Sequence, residues 1–513
     1  MKTRIALTIS FACYFFISLP AQKHDYNWIF GFFTFPDEPN INGNILNFSG
    51  DTVSIEVYKK DIDMSRYNAT YSDAAGNLKF WSNGCEFYGA DNEILENGDT
   101  LNPGLVYDNF CDDQSTGSYI ASYQSMLCLP DLQDEQKVHV FHKWAPWDLL
   151  NDFNRLYYSV IDFSKISKGK VVQKNIELTG NTSSGLIVAT KDAEYKAWWI
   201  ITAERRGTGH YVYKLEADTI STPTYFSEGA FLSDNNSSES SSSFSPDGSK
   251  YAIFGEADGL RIYDFDNESG TLTNYQFFDA PQDFDGGFVG LAFSGSGRYL
   301  YTSHFRKIYQ YDMQASDIGA SRLTIADWEE NFDPIFGIPS PFFQMQRGPD
   351  CRIYLSAQNG SKFIHVIHHP ERRGMACGVQ QNIEIPAFNN RTTPSFPNYR
   401  LGTGPVCDST KVFPPDLLTA VDEAIMSTAQ EGLHVHLYPN PSAGELFLDI
   451  DQYLGPDTDF VLYNVAGQET YRQALSGEVG TTQFSLPNLN EGIYIYSIYN
   501  AGRLLFSDKL VLR

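Results

Sequence analysis

The sequence predicts an all-β protein: a β-propeller of about seven blades, followed by a small C-terminal β-sandwich of immunoglobulin-like type. Three observations carry this. A hairpin motif returns along the body, long helical periodicity is almost absent from it, and a new set of alternating strands opens near Leu437 after a polar linker. The repeat decides the architecture, because self-similarity at roughly 20 to 50 residues marks stacked or radial units. "SFSPDGSKYAIF" (Ser243 to Phe254) is echoed by "AFSGSGRYLYTS" (Ala292 to Ser303), with Phe244 and Phe293 in matching places. Looser copies stand in "TYSDAAGNLKFW" (Thr70 to Trp81) and "QRGPDCRIYLSA" (Gln346 to Ala357). In each, a strand ends, a polar turn with Asp-Gly or Ser-Gly character follows, and alternating Tyr, Ile and Leu begin the next strand. "LRIYDFDNESGTLTNYQFF" (Leu260 to Phe278) adds two strands across a polar turn, completing a four-stranded blade. From Gln22 to Val406 the chain has room for about seven blades of about 50 residues, with six and eight as the neighbouring solutions.

The flanking segments set compartment and domain limits. Lys2 and Arg4 precede an apolar run from Ile5 to Leu19 and then "SLPAQ", the pattern of a signal peptide over residues 1–21. That run is too short to span a bilayer, and no later one approaches the roughly 20 apolar residues a span needs, so no integral membrane protein is expected. The propeller is placed at 22–408, a linker at 409–432 and the sandwich at 433–513. "PPDLLTAVDEAIMSTAQ" (Pro414 to Gln430), the one convincing helical candidate, lies in that linker. The formal net charge of −26 repels a phosphate backbone and argues against nucleic acid as a partner. Cys13 leaves with the signal peptide, so Cys85, Cys111, Cys128, Cys351, Cys377 and Cys407 remain, an even set for an oxidising compartment.

Candidate chemistry is sparse. "HVIHH" offers His365, His368 and His369, but on a strand His365 and His369 share one face and His368 the other, which suits structural histidines better than three-ligand zinc. His434 and His436 lack a third ligand nearby. "DFDNESG" imitates a calcium loop with Asp264, Asp266 and Glu268, yet Gly270 comes one place late, so a polar inter-strand turn is expected. "DFDGG" at Asp283 to Gly287 is weaker still. Trp198 and Trp199 in "AWWII" read as a buried strand. No G-x-S-x-G elbow, H-E-x-x-H helix or P-loop occurs, and no cofactor is expected. "SPDGSKY" departs from the Asp-box of sialidase propellers.

"NGCEFYGADNEILENGDTLNPG", "SMLCLPD", "NGSKFIHVIHHPERRGMACGVQ" and "PSFPNYRLGTGPVCD" resemble a group of exported propeller-type proteins of the Bacteroidota. The resemblance implies two bridges, Cys85 with Cys111 and Cys377 with Cys407. Cys128 and Cys351 are left either to bridge two blades or to stay buried thiols. The tail carries a second resemblance. "YPNPSAG", "FVLYNVAGQETYR", "LPNLNEGIYIYSI" and "FSDKLVLR" follow in fixed order between Leu433 and Arg513 and are similar to the type A C-terminal sorting domain of the type IX secretion system. Pro439, Asn440 and Pro441 match its entry motif, and Tyr463, Asn464, Gly467 and Gln468 its central hairpin. Gly492, Ile493 and Tyr494 match its penultimate strand, and Lys509, Leu510 and Val511 its last.

That resemblance implies export by the type IX machinery and removal of the sandwich outside. The body is then released or attached to surface lipopolysaccharide. The body itself is expected to be a noncatalytic module for a glycan or protein ligand, the alternative being a propeller hydrolase or lyase acting on polysaccharide. Fold alone does not choose between them. Asp-Thr-apolar triplets at Thr52, Thr100 and Thr219 resemble O-glycosylation acceptors of the same bacteria.

Overall fold

The computed structural model describes residues 22–31, 43–58, 64, 67–111, 123–146, 154–229, 240–255, 259–280, 289–333 and 337–413 of the body. In the tail it describes 435–439, 442, 444–450, 453–456, 458–464, 469–475, 479–486, 489–490, 492–500 and 503–512. The signal peptide, the linker helix candidate, His434 and the Asp283 to Gly287 turn lie outside these residues. The chain divides into two compact units, Met1–Val412 and Phe413–Arg513.

Among the described residues the first unit holds seven antiparallel sheets. They are the blades of a propeller, 27–58, 69–89, 126–180, 182–226, 241–278, 289–327 and 342–390, numbered 1 to 7 here. Apolar side chains of each blade meet those of the next. Blades 2 and 3 share Phe80, Phe87, Val140 and Ile161, blades 4 and 5 share Trp199, Ile201, Tyr251 and Tyr263, and blades 6 and 7 share Tyr301, Ile308, Ile353 and Leu355. The core is thus a ring of inter-blade layers, which is why nearly every inner and second strand is buried on both faces.

Every copy of the repeat is the inner hairpin of a blade. Phe244 pairs with Tyr251 and Phe293 with Leu300, each Phe closing its inner strand. The turns need a left-handed residue, supplied by Gly76 (φ 94°), Gly248 (φ 74°) and Gly297 (φ 73°). In blade 7 the same place is taken by Cys351 (φ 70°).

Blade 7 closes on blade 1 through side chains rather than through a shared sheet. Asn44 Nδ2 donates to Ala387 O (2.8 Å), and Ala387 N donates back to Asn44 Oδ1 (2.9 Å). Trp28 and Phe48 set their rings against Tyr354 at 5.3 and 5.7 Å. Val412 then bonds across Thr52, taking Val53 N (2.9 Å) and giving its own N–H to Asp51 O (2.7 Å).

Two disulfides form among the described residues. Cys85 joins Cys111, at the end of the short helix Leu105–Phe110. Cys407 joins Cys351, not Cys377 as the resemblance implied. Cys377 is buried among the apolar residues between blades 6 and 7, and Cys128 is buried in blade 3; both are free thiols. The expected pairing fails because Cys377 faces that inter-blade layer, while the turn at Cys351 presents its thiol to the segment that carries Cys407.

The second unit is a sandwich of a three-stranded sheet (Val435–Tyr438, Glu445–Ile450, Gly480–Ser485) and a four-stranded one (Glu469–Leu475, Thr458–Asn464, Gly492–Asn500, Arg503–Leu512). Leu446, Leu448, Ile450 and Phe484 of the first sheet meet Phe460, Leu462, Tyr496, Ile498 and Leu510 of the second. Alternation along each strand produces this one-sided burial.

Candidate functional site

The inner strands of blades 3 to 7 and the segment Ser395 to Asn398 surround the axial channel of the propeller. That segment lies across the ends of the inner strands. Phe396 N donates to Gln346 Oε1 in blade 7 (3.1 Å), Asn398 Nδ2 to Pro246 O in blade 5 (2.7 Å), and Tyr399 O–H to Cys128 O in blade 3 (2.7 Å). Lys191 of blade 4 donates to Tyr399 O (2.7 Å), Leu401 O (3.0 Å) and Gln22 Oε1 (2.9 Å). Burial, helped by the nearby Arg400 charge, lowers its pKa to about 8. Arg400 grips Asp25 with both terminal guanidinium nitrogens, Nη1 and Nη2, at 2.8 to 3.0 Å, and both side chains are buried. "PSFPNYRLG" is therefore a plug that ties four blades and the N-terminal segment together.

The cavity that the inner strands and this segment line is small and polar. Its volume of about 50 Å³ holds a few waters, at the roughly 10 to 15 Å³ each requires, and not a sugar ring. Gln124, Ser242, Ser243, Ser245, Gln346 and Asn398 offer amides and hydroxyls. The one ionisable side chain among the described lining residues is Arg347. Burial and the neighbouring Arg400 lower its pKa to about 10, and its Nη1 lies 3.5 Å from the carbonyls of Phe293 and Ser294, too far for strong bonds. Such a wall can bind a polar group. It offers no carboxylate or imidazole for proton transfer.

The sequence-predicted residues fall elsewhere. His365 is fully buried in blade 7, accepts the Asn382 N–H (3.2 Å) and is held neutral, burial lowering its pKa to about 3. His368 and His369 lie beyond that strand's end at Ile367, and His368 Nε2 meets Gln380 Oε1 (2.7 Å), so the three imidazoles do not converge on one ion. Asp264 binds Lys250 (2.7 Å) and Asn274 (2.9 Å), while Asp266 caps a turn through Ser269 Oγ (2.6 Å) and Glu268 N (3.0 Å). That turn is structural: a Cβ on Gly270 (φ 73°) would stand 2.5 Å from the Trp199 ring. Trp198 and Trp199 donate their indole N–H groups to Pro130 O and Asn267 O from inside the core. Thr52 and Thr219 are exposed and Thr100 partly so.

In the sandwich, Tyr463 and Asn464 close the strand Thr458–Asn464, and Gly492 opens the strand whose Tyr494 donates its O–H to Asn490 O (2.8 Å). Lys509, Leu510 and Val511 belong to the last strand, with Leu510 fully buried and Val511 standing opposite Ile493 in the sheet register. Pro439 follows the first strand; Asn440, Pro441, Gly467 and Gln468 lie outside the described residues. The described landmarks thus belong to the strands and core of the sandwich.

The fold and this tail define an exported propeller protein. Residues 436–513 match the family of secretion system C-terminal sorting domains. The chain is a propeller sorted by the type IX machinery to the cell surface or the medium. No helix among the described residues is long and apolar enough to cross a membrane. No curated protein matches the chain. Among solved structures it is similar to a putative 6-phosphogluconolactonase from Bacteroides uniformis ATCC 8492, at 12% identity over 72% of this chain and 99% of that chain, with a TM-score of 0.42. It is also similar to a protein of unknown function from Bacteroides thetaiotaomicron VPI-5482, at 9% identity over 72% and 84% of the two chains, with a TM-score of 0.32. Likeness this distant lends neither activity nor ligand to the chain.

Proposed function

We propose that the body is a noncatalytic binding module for a glycan or a protein, delivered to the cell surface or the medium. The observation that carries this is the channel wall: amides and hydroxyls around a single cation, Arg347, without an acid or base among the described lining residues. Hydrolysis of a glycoside most commonly uses a pair of carboxyl groups, and polysaccharide elimination a base beside the sugar. After removal of the sorting domain the module stays attached to surface lipopolysaccharide or is released. The test is a glycan array and a polysaccharide activity screen on the same purified body. Saturable glycan binding without turnover is expected. Turnover of any polymer, abolished by replacing a single carboxylate, would replace this reading with an enzymatic one.

A further inference from the structure

A cluster away from the channel joins blades 3 and 4. Asp131 follows the inner strand Met126–Pro130, and its Oδ1 accepts the amide N–H groups of Gln133 (2.7 Å) and Asp134 (3.0 Å). That fixes the carboxylate and leaves Oδ2 aimed at His139 Nε2, 3.1 Å away. His139 sits one strand over, fully buried, stacked on Tyr158 with its Nδ1 2.6 Å from the phenol oxygen. Asp218 arrives from the other blade, in the turn after His210–Glu216, where Ala217 adopts φ 48°. One ligand atom from each of Asp131, His139 and Asp218 lies within 4.8 Å of the other two.

We propose that these three side chains form a Zn²⁺ site that clips blade 3 to blade 4. Zinc takes imidazole nitrogen and carboxylate oxygen at about 2.0 to 2.2 Å, which sets tetrahedral ligand atoms roughly 3.3 Å apart. The Asp131–His139 pair already stands near that spacing, and the exposed Asp218 has the freedom to close the remainder. Tyr158 supplies the outer contact that a ligating imidazole uses on its second nitrogen: with Nε2 on the metal, the Nδ1 proton goes to the phenol oxygen. Three protein ligands leave a fourth position for water. A positive charge is already favoured there, since Lys137 Nζ lies 2.5 Å from Asp218 Oδ2 and 3.8 Å from Asp134 Oδ2. On zinc binding the ammonium transfers to Asp134.

The test uses the complete mature chain, stripped with a chelator and titrated calorimetrically with Zn²⁺ alone, beside thermal melts with and without the metal. One equivalent should bind and raise the melting temperature. Asp218→Asn alters an exposed side chain, so the metal-free protein should melt as before, while its zinc affinity falls by at least about tenfold. Lys137→Met removes the competing cation and should tighten binding. Absence of saturable zinc binding, or equal affinity in the Asp218→Asn chain, would overturn the proposal.

Discussion

At the scale of single residues, buried histidines make the propeller acid-sensitive. His142 is fully buried between Asn102 Oδ1 (2.9 Å) and Ser159 Oγ (3.0 Å). Asn102 spends its amide protons on Gly84 O, so its oxygen accepts and the proton of the neutral imidazole sits on Nδ1. Burial lowers the pKa of His142 to about 3; it does the same for His210, aided by the nearby Arg261 charge. In the unfolded chain both return to about 6.5. Between pH 6.5 and about 3 the unfolded state therefore binds more protons than the folded one, so this stability is complete above pH 6.5 and lost as pH falls below it. Each histidine should remove about 1.4 kcal/mol per pH unit. His210 rests among Tyr251 and Tyr263, with neither ring nitrogen hydrogen-bonded to the described residues. His210→Phe should therefore fold normally at pH 7.5 and show a shallower loss between pH 6 and 5, measured by denaturant titration. An unchanged slope would mean that His210 does not govern it.

At the scale of the element, the repeating hairpin explains both what the sequence disclosed and what it concealed. All four copies were legible, because a strand, a polar turn with a left-handed residue and a second strand leave a periodic signature. The same register held the disulfide answer: Cys351 stands where the other copies place Gly248, Gly297 and Gly76. A non-glycine residue there costs about 1 to 2 kcal/mol, so its presence marks a side chain with a task, here the bond to Cys407. The plug was less legible. Lys191 and Asp25 reach Tyr399 and Arg400 from positions far apart in the chain, and no local pattern encodes such contacts. Nonreducing peptide maps should show Cys85–Cys111 and Cys351–Cys407, with Cys128 and Cys377 alkylated only after unfolding. Burial raises the Cys377 thiol to about 12, so it is also a poor nucleophile while folded. Replacing Cys407 with Ser should lower stability by about 2 to 4 kcal/mol. A Cys377–Cys407 peptide would restore the original pairing.

At the scale of the molecule, two units with separate cores allow export and folding to be divided. The body closes its ring through Asn44 with Ala387, Asp25 with Arg400, and Val412 beside Thr52. The sandwich buries its own Leu446, Phe460, Tyr496 and Leu510. Sorting landmarks such as Tyr494 and Leu510 serve that core, so substitutions there should act by unfolding the signal rather than by deleting a contact. Removing the tail should in turn leave a folded propeller, because these closing contacts lie at or before Val412. A chain ended after Gly432 is therefore expected to accumulate, folded and protease-resistant, in the periplasm. The complete chain should appear outside as a product shorter by roughly 80 residues, the size of one small sandwich. Cell fractionation with separate antibodies to body and tail reads both results at once. Surface delivery of the truncated chain at full efficiency would show that the body carries its own export signal and that the C-terminal sandwich is dispensable for sorting.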